Sequence, residues 1–193
     1  IMTASTAAIS GSLLPAGDTS YDETNWTNPD DPDITAYTKS KTLAEKAAWD
    51  FQRETAPEMN LTIVNPGFVV GAPLDQHFGT SLGVIQRLLR GKDPMLPNFG
   101  FTTVDVLDVA VMHVTVIARP ETCGQRIKTL VANDFILKIL ALIDPAIKSI
   151  VPSLGQQQKM DNQRAMATLG RGMRQAPKSI ATSAAYLIEN DLV

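Results

Sequence analysis

The sequence predicts an α/β fold built on a parallel sheet, and three stretches carry that prediction. "IMTASTAAI" (1–9) is apolar and then small and hydroxylated, as at the C-terminal end of a buried strand. "ITAYTKSKTLAEKAAWDF" (34–51) has the period of an amphipathic helix. "LTIVNPGFVVGAP" (61–73) is rich in β-branched residues and reads as a second buried strand, closed by a Pro-Gly break. Strand, helix and strand in that order form a parallel pair with a crossover helix.

Between the first strand and the helix, residues 15–33 are dense in Pro, Gly, Asp, Asn and Thr and form a long loop, a kind that is usually functional in a compact domain. The helix is expected over 34–55, with Asp33 as N-cap and Pro57 beyond its end. Tyr37, Ser40, Lys41, Ala44, Ala47, Ala48 and Phe51 define one face, and Lys39, Glu45, Lys46 and Asp50 the other. A second helix is expected over 81–91 with Gly91 at its C-terminal cap. Residues 101–120 read as a short strand turning into a helix, capped by Asp105 or Asp108 and stopped by Pro120. After Gly124, "RIKTLVANDF" reads as a strand and "ILKILALI" (136–143) as a helix. A short helix over 161–170 ends on Gly170, and 179–193 is a final amphipathic helix.

With 193 residues the chain fits one domain, or one domain and a small lobe. Its 44% hydrophobic and 19% charged residues and its net charge of −3 describe an ordinary globular protein and offer no basic footprint for nucleic acid. One cysteine, Cys123, excludes an intramolecular disulfide and suits a reducing, cytoplasmic setting. No apolar run approaches the roughly 18 residues of a membrane span, and no secretory signal is present.

Tyr37 and Lys41, four apart on a helix, project from one face. An ammonium beside a phenol favours the phenolate, so the pair is suited to acid–base chemistry near neutral pH. The spacing alone is cheap, and by itself it describes a core tyrosine beside a solvated lysine. Two neighbours shift the balance: Ser5, with Thr6 next to it, stands at a strand end, and the helix leads to a second strand ending at Pro66-Gly67. Ligands of open α/β sheets sit at such carboxyl ends.

Together these segments resemble the extended short-chain dehydrogenases/reductases, the NAD-dependent epimerase/dehydratase group, and within it the dihydroflavonol-reductase and aldehyde-reductase branch. The resemblance is carried by "MTASTAA", "YTKSK", "NPGFVVGAPL", "TTVDVLDVAVMHV" and "AAYLIENDLV", in the family's order along the whole chain. It implies a Rossmann-like doubly wound parallel sheet with a small mixed C-terminal lobe. Residues 1–73 and 101–124 would belong to the dinucleotide-binding domain, and 74–100 and 125–193 to the substrate lobe.

The resemblance further implies a nicotinamide-dependent reductase of aldehydes or ketones, or the reverse reaction, with Ser5, Tyr37 and Lys41 as catalytic trio. Tyr37 would protonate the alkoxide, Lys41 would hold the ribose hydroxyls and support Tyr37, and Ser5 would bind the substrate oxygen. Pro66, Gly67, Phe68, Val69 and Ser81 would contact the cofactor, NADP(H) or NAD(H), with NADP(H) favoured by the resemblance only. The alternatives are a nucleotide-sugar epimerase or dehydratase, for which Arg87 and Arg90 offer few cations, and a non-catalytic dinucleotide sensor. A small carbonyl or alcohol substrate is the expected partner, nucleic acid and membrane are not, and the family allows a homodimer.

The sequence departs from the family at Ala4, where serine is common, which leaves Thr6 as a second candidate for the Ser5 place. No glycine-rich phosphate loop occurs, and with the start at Ile1 this predicts the C-terminal portion of a longer enzyme, extended upstream by on the order of 100 residues. Other residues read as structural first. His77 is a loop histidine before it is a substrate contact, and His113 is a helix residue. Two histidines and one cysteine far apart make no metal cluster. Trp26 and the acidic run 30–33 form a solvated loop, with substrate gating the sharper reading.

Overall fold

The computed structural model describes residues 1–14, 20–91, 98–99, 102–131, 137–138 and 160–193. In chain order its elements are β1 (Met2–Thr3), α1 (Ala7–Ser10), α2 (Ala36–Glu54), β2 (Ile63–Pro66), β3 (Phe68–Val70), α3 (Thr80–Leu89) and β4 (Asn98–Phe99). They continue with β5 (Thr103–Asp105), α4 (Val106–Ile117), β6 (Arg126–Thr129), β7 (Leu137–Lys138), α5 (Gln163–Leu169) and α6 (Ala176–Glu189).

The main sheet is parallel, in the order β1-β2-β6, with Met2 opposite Ile63 and Ile63 opposite Arg126. Successive residues of a strand point to opposite faces, and β2 uses both. Ile63 packs with Ala4 and Leu61 beneath Ala48 and Trp49 of α2. Its neighbour Val64 packs with Met112 and Val116 of α4, Ile127 and Ala165. Helices therefore cover both faces, the doubly wound arrangement.

The predicted strand 61–73 is two strands. β2 stays in the main sheet, whereas β3 pairs in parallel with β5, Phe68 opposite Thr103. Gly67 is the break, and only glycine fits there: a Cβ would lie 2.2 Å from the Thr102 carbonyl oxygen. β3 and β5 form a second layer with α3 and α6, around a core of Val70, Ile85 and Leu187. Ser183 fastens α6 to this layer by accepting from the Gly71 N–H at 2.7 Å and donating to the Gly71 carbonyl at 3.1 Å.

Several expectations need correction. Arg126–Thr129 was assigned to the lobe but is the third strand of the main sheet, because its whole length is hydrogen-bonded to β2. Thr35, not Asp33, caps α2: its extended backbone lets the Thr35 hydroxyl accept from the Thr38 N–H at 3.0 Å. The buried side of α2 coincides with neither of the expected faces. Tyr37 and Phe51 are 58% and 52% exposed, while Thr42 and Glu45 are fully buried. Of the helix expected over 136–143, only Leu137 and Lys138 lie within the described residues, and their backbone pairs antiparallel with β4. By contrast, Asp105 caps α4 through the Leu107 N–H at 2.8 Å, and Gly170 ends α5 at φ 68°.

Candidate active site

Three strand and helix ends converge. Ser5 follows β1, Pro66 ends β2, and the N–H of Thr6 donates to the Pro66 carbonyl at 3.0 Å. The short α1 starts at Ala7, whose N–H donates to Ser5 Oγ at 3.2 Å. A hydroxyl that accepts in this way keeps its own O–H for another acceptor. α1 then packs on the start of α2 so closely that a Cβ on Gly11 would meet the Thr38 methyl at 2.2 Å. The residue beside Thr38 is Tyr37.

On α2, Lys41 Nζ lies 5.8 Å from the centroid of the Tyr37 ring. Tyr37 is more than half exposed, so the reading of a core tyrosine fails. Tyr37 faces solvent and Lys41 is half-buried on α2, while the carboxyl ends of β1 and β2 form a rim. Gly67 continues this rim through its N–H to the Thr129 carbonyl at 3.0 Å, and Phe68 and Val69 follow in β3. Ser81 stands apart, on the first turn of α3.

Beneath the rim is a polar network that the sequence reading missed. Glu45 and Asn65 are fully buried. Asn65 Nδ2 donates to Glu45 Oε2 at 2.7 Å and to the Ser5 carbonyl at 3.2 Å. Glu45 Oε1 accepts from Arg126 Nε at 2.6 Å. Arg126 also donates to the carbonyls of Glu23 and Asn25 and stacks at 3.7 Å on Trp26. Trp26 is thus a lid on a buried arginine. The only advance signal was "RIK" at a strand start, where an arginine inside a sheet demands a carboxylate.

The loop before α2 is fastened on the same side. The Lys128 ammonium, fully buried, donates to the Tyr21 carbonyl at 2.6 Å, and burial pushes it below the ordinary lysine value. The Tyr21 hydroxyl donates to the Ser12 carbonyl at 2.7 Å, and burial raises its pKa. Hydrogen bonds from the Thr24 hydroxyl and N–H hold the Asp22 carboxyl below its usual range. His113 bridges Val109 and Thr3 at 2.8 and 2.7 Å, a structural role, whereas His77 is exposed near Asp75. Asp108 is no helix cap: Arg171 and Arg174 hold it as a buried anion.

A cleft of about 340 Å³ lies farther along α2, lined by Trp26, Lys46, Trp49, Arg53 and Arg126 among others, and no Ser, Tyr or His borders it. The chemistry therefore points to the rim and not to this concavity. Side by side, a phenol and an ammonium form a donor set that sugar hydroxyls take, so the Tyr37–Lys41 pair fits the ribose end of a nicotinamide dinucleotide. Among the described residues no group of His, Cys, Asp or Glu side chains is placed to hold a metal ion, and no helix is long and apolar enough to cross a membrane.

No family model matches the chain. It is 26% identical over 198 residues to an NADPH-dependent methylglyoxal reductase of Saccharomyces cerevisiae, covering 91% of this chain and 57% of that enzyme. With a ketoreductase of Aspergillus niger it shares 36% identity over 149 residues, 72% of this chain and 42% of that protein. Its fold matches the crystal structure of a yeast methylglyoxal/isovaleraldehyde reductase complexed with NADPH, with a TM-score of 0.71 at 23% identity over 99% of this chain and 64% of that one. The chain is similar in sequence to these reductases and shares their fold. It spans about half the length of the relatives it matches. To the sequence reading the structure adds the buried network of Glu45, Asn65 and Arg126 that reaches the Ser5 carbonyl.

Proposed function

We propose that the protein carrying this chain is an NADPH-dependent reductase of small aldehydes or ketones, with Ser5, Tyr37 and Lys41 as its catalytic residues. The observation that carries this reading is the pair of exposed Tyr37 and Lys41, 5.8 Å from ring centroid to ammonium, on the helix whose start packs against α1, which follows Ser5. The names of the reductase and ketoreductase relatives support the substrate class, and the NADPH-dependent relative supports the cofactor. They favour carbonyl reduction over nucleotide-sugar epimerisation.

The cofactor, when bound, supplies the hydride. Lys41 holds the ribose hydroxyls, and Pro66, Gly67, Phe68 and Val69 line the nicotinamide end, with Ser81 as a further contact. Ser5 donates its O–H to the carbonyl oxygen of the substrate and orients it. Tyr37 delivers its phenolic proton to the same oxygen as negative charge develops there. Lys41, one turn along, stabilises the phenolate left behind.

The test is consumption of NADPH with small aldehydes and ketones by the protein with all the sequence that its gene encodes. Tyr37→Phe removes only a hydroxyl from an exposed ring and should lower kcat by roughly 10²–10⁴ while the fold stays intact. Lys41→Ala should lower kcat and weaken NADPH binding together. Near-normal turnover by Tyr37→Phe would end this assignment. Conversion of a nucleotide sugar without net change in the cofactor would replace reduction by epimerisation.

A further inference from the structure

We infer that Asn65 is a positioning residue for this reaction: its amide nitrogen ties the strand end that carries Ser5 to the helix that carries Tyr37 and Lys41. The inference rests on the function proposed above. Glu45 lies one turn beyond Lys41 on α2. Its carboxylate is set from the sheet side by Arg126 at 2.6 Å, and Arg126 in turn is held by the carbonyls of Glu23 and Asn25. Asn65 closes the distance, with one N–H on Glu45 at 2.7 Å and the other on the Ser5 carbonyl at 3.2 Å. Both hydrogens of one NH₂ group are therefore used, one on each side of the proposed reaction centre.

A second observation argues that this side chain is there for more than packing. Asn65 Oδ1 is buried and has no hydrogen-bond partner among the described residues. An orphaned buried acceptor costs stability, and an apolar side chain such as leucine would carry no such acceptor. What a leucine would lack is the two-sided bridge. A shift of the Ser5 strand end by even a fraction of an ångström would misplace a hydroxyl that must reach the same substrate oxygen as Tyr37.

The experiment is a double-mutant cycle between Asn65 and Ser5 in the full protein, with rates counted per NADPH-binding site so that unfolded molecules drop out. Asn65→Ala should lower kcat by about 10- to 100-fold with KM and the Kd for NADPH little changed. In a Ser5→Ala background, Asn65→Ala should cost less than about twofold more, because the amide acts through Ser5. Asn65→Leu, which opens no cavity, should behave like Asn65→Ala. Unchanged kcat in either Asn65 variant, or losses at Asn65 and Ser5 that simply multiply, would overturn the inference. Tyr37→Phe in the same assay separates the two failures. If it is inactive while Asn65→Ala turns over normally, only this inference falls; if it is active, the proposed function falls.

Discussion

Among the described residues two carboxylates are fully buried, and they are held in different ways. Glu45 meets Arg126, whose side chain is 8% exposed. Asp108 meets Arg171 and Arg174, whose side chains are 39% and 41% exposed, and also accepts the Arg174 N–H at 2.6 Å. The first pair is sealed on both sides. The second is an anion inside and two cations at the surface, joining α4 to the segment between α5 and α6. A sealed arginine cannot return to water when its partner is lost, whereas a half-exposed one turns outward. The two sites should therefore fail differently.

The largest effect is expected at Glu45. Glu45→Ala strands the Arg126 charge and should cost about 3–5 kcal/mol of unfolding free energy in urea or guanidinium titrations. Asp108→Asn should cost less, about 1–3 kcal/mol, the range for hydrogen bonds to a charged group whose partners can rehydrate. Equal losses at the two positions would break the comparison.

Lys128 sharpens it as a buried cation of another kind. Burial lowers its pKa, while Glu23, Asp161 and Asp22 pull it back up. Below the folded value both states hold the proton and the cost of burial stands in full. Between that value and the ordinary one of about 10.4, only the unfolded chain keeps the proton, so stability rises with pH. The stability of the native protein relative to Lys128→Met should therefore climb as pH is raised from neutral, followed by urea titration at each pH. A flat difference would mean that Lys128 stays charged throughout. The smallest effect belongs to Lys39→Ala, which removes an exposed pair with Asp30 at 3.8 Å and should change stability by less than about 1 kcal/mol and leave turnover unchanged.

Local signals were legible in the sequence wherever the cause was local. The Asp105 cap, the αL glycine after Leu169 and the Pro-Gly break after β2 each depend on residues within one turn of themselves. So did the Tyr37–Lys41 proximity, which the helix sets unaided. Glu45 was grouped with Lys39, Lys46 and Asp50 on the charged face, where a charge by itself belongs in water. Its burial depends on Arg126, 81 residues away, and no local pattern shows that partner. The apolar run Tyr37, Ala44, Ala47 and Phe51 misled for the same reason: amphipathicity shows that a face is apolar, not what covers it. β6 was legible as a strand, yet its place in the main sheet is a matter of non-local pairing with β2.

The buried Glu45–Arg126 pair also has a consequence for the order of events during synthesis. Ser5 and Asn65 are 60 residues apart, and Glu45 and Arg126 are 81 apart. At roughly 5–20 residues per second, the ribosome adds Arg126 about 4–16 s after Glu45. Until then α2 carries a carboxylate that cannot be buried without its counter-charge, so the helix cannot settle into its native seat on β2. Docking of the helix that bears Tyr37 and Lys41 is thereby deferred until the third strand has been made, and the nascent chain carries Ile63 and Leu61 uncovered in the interval. The residues that fix the rim in the finished protein are among those that delay its assembly.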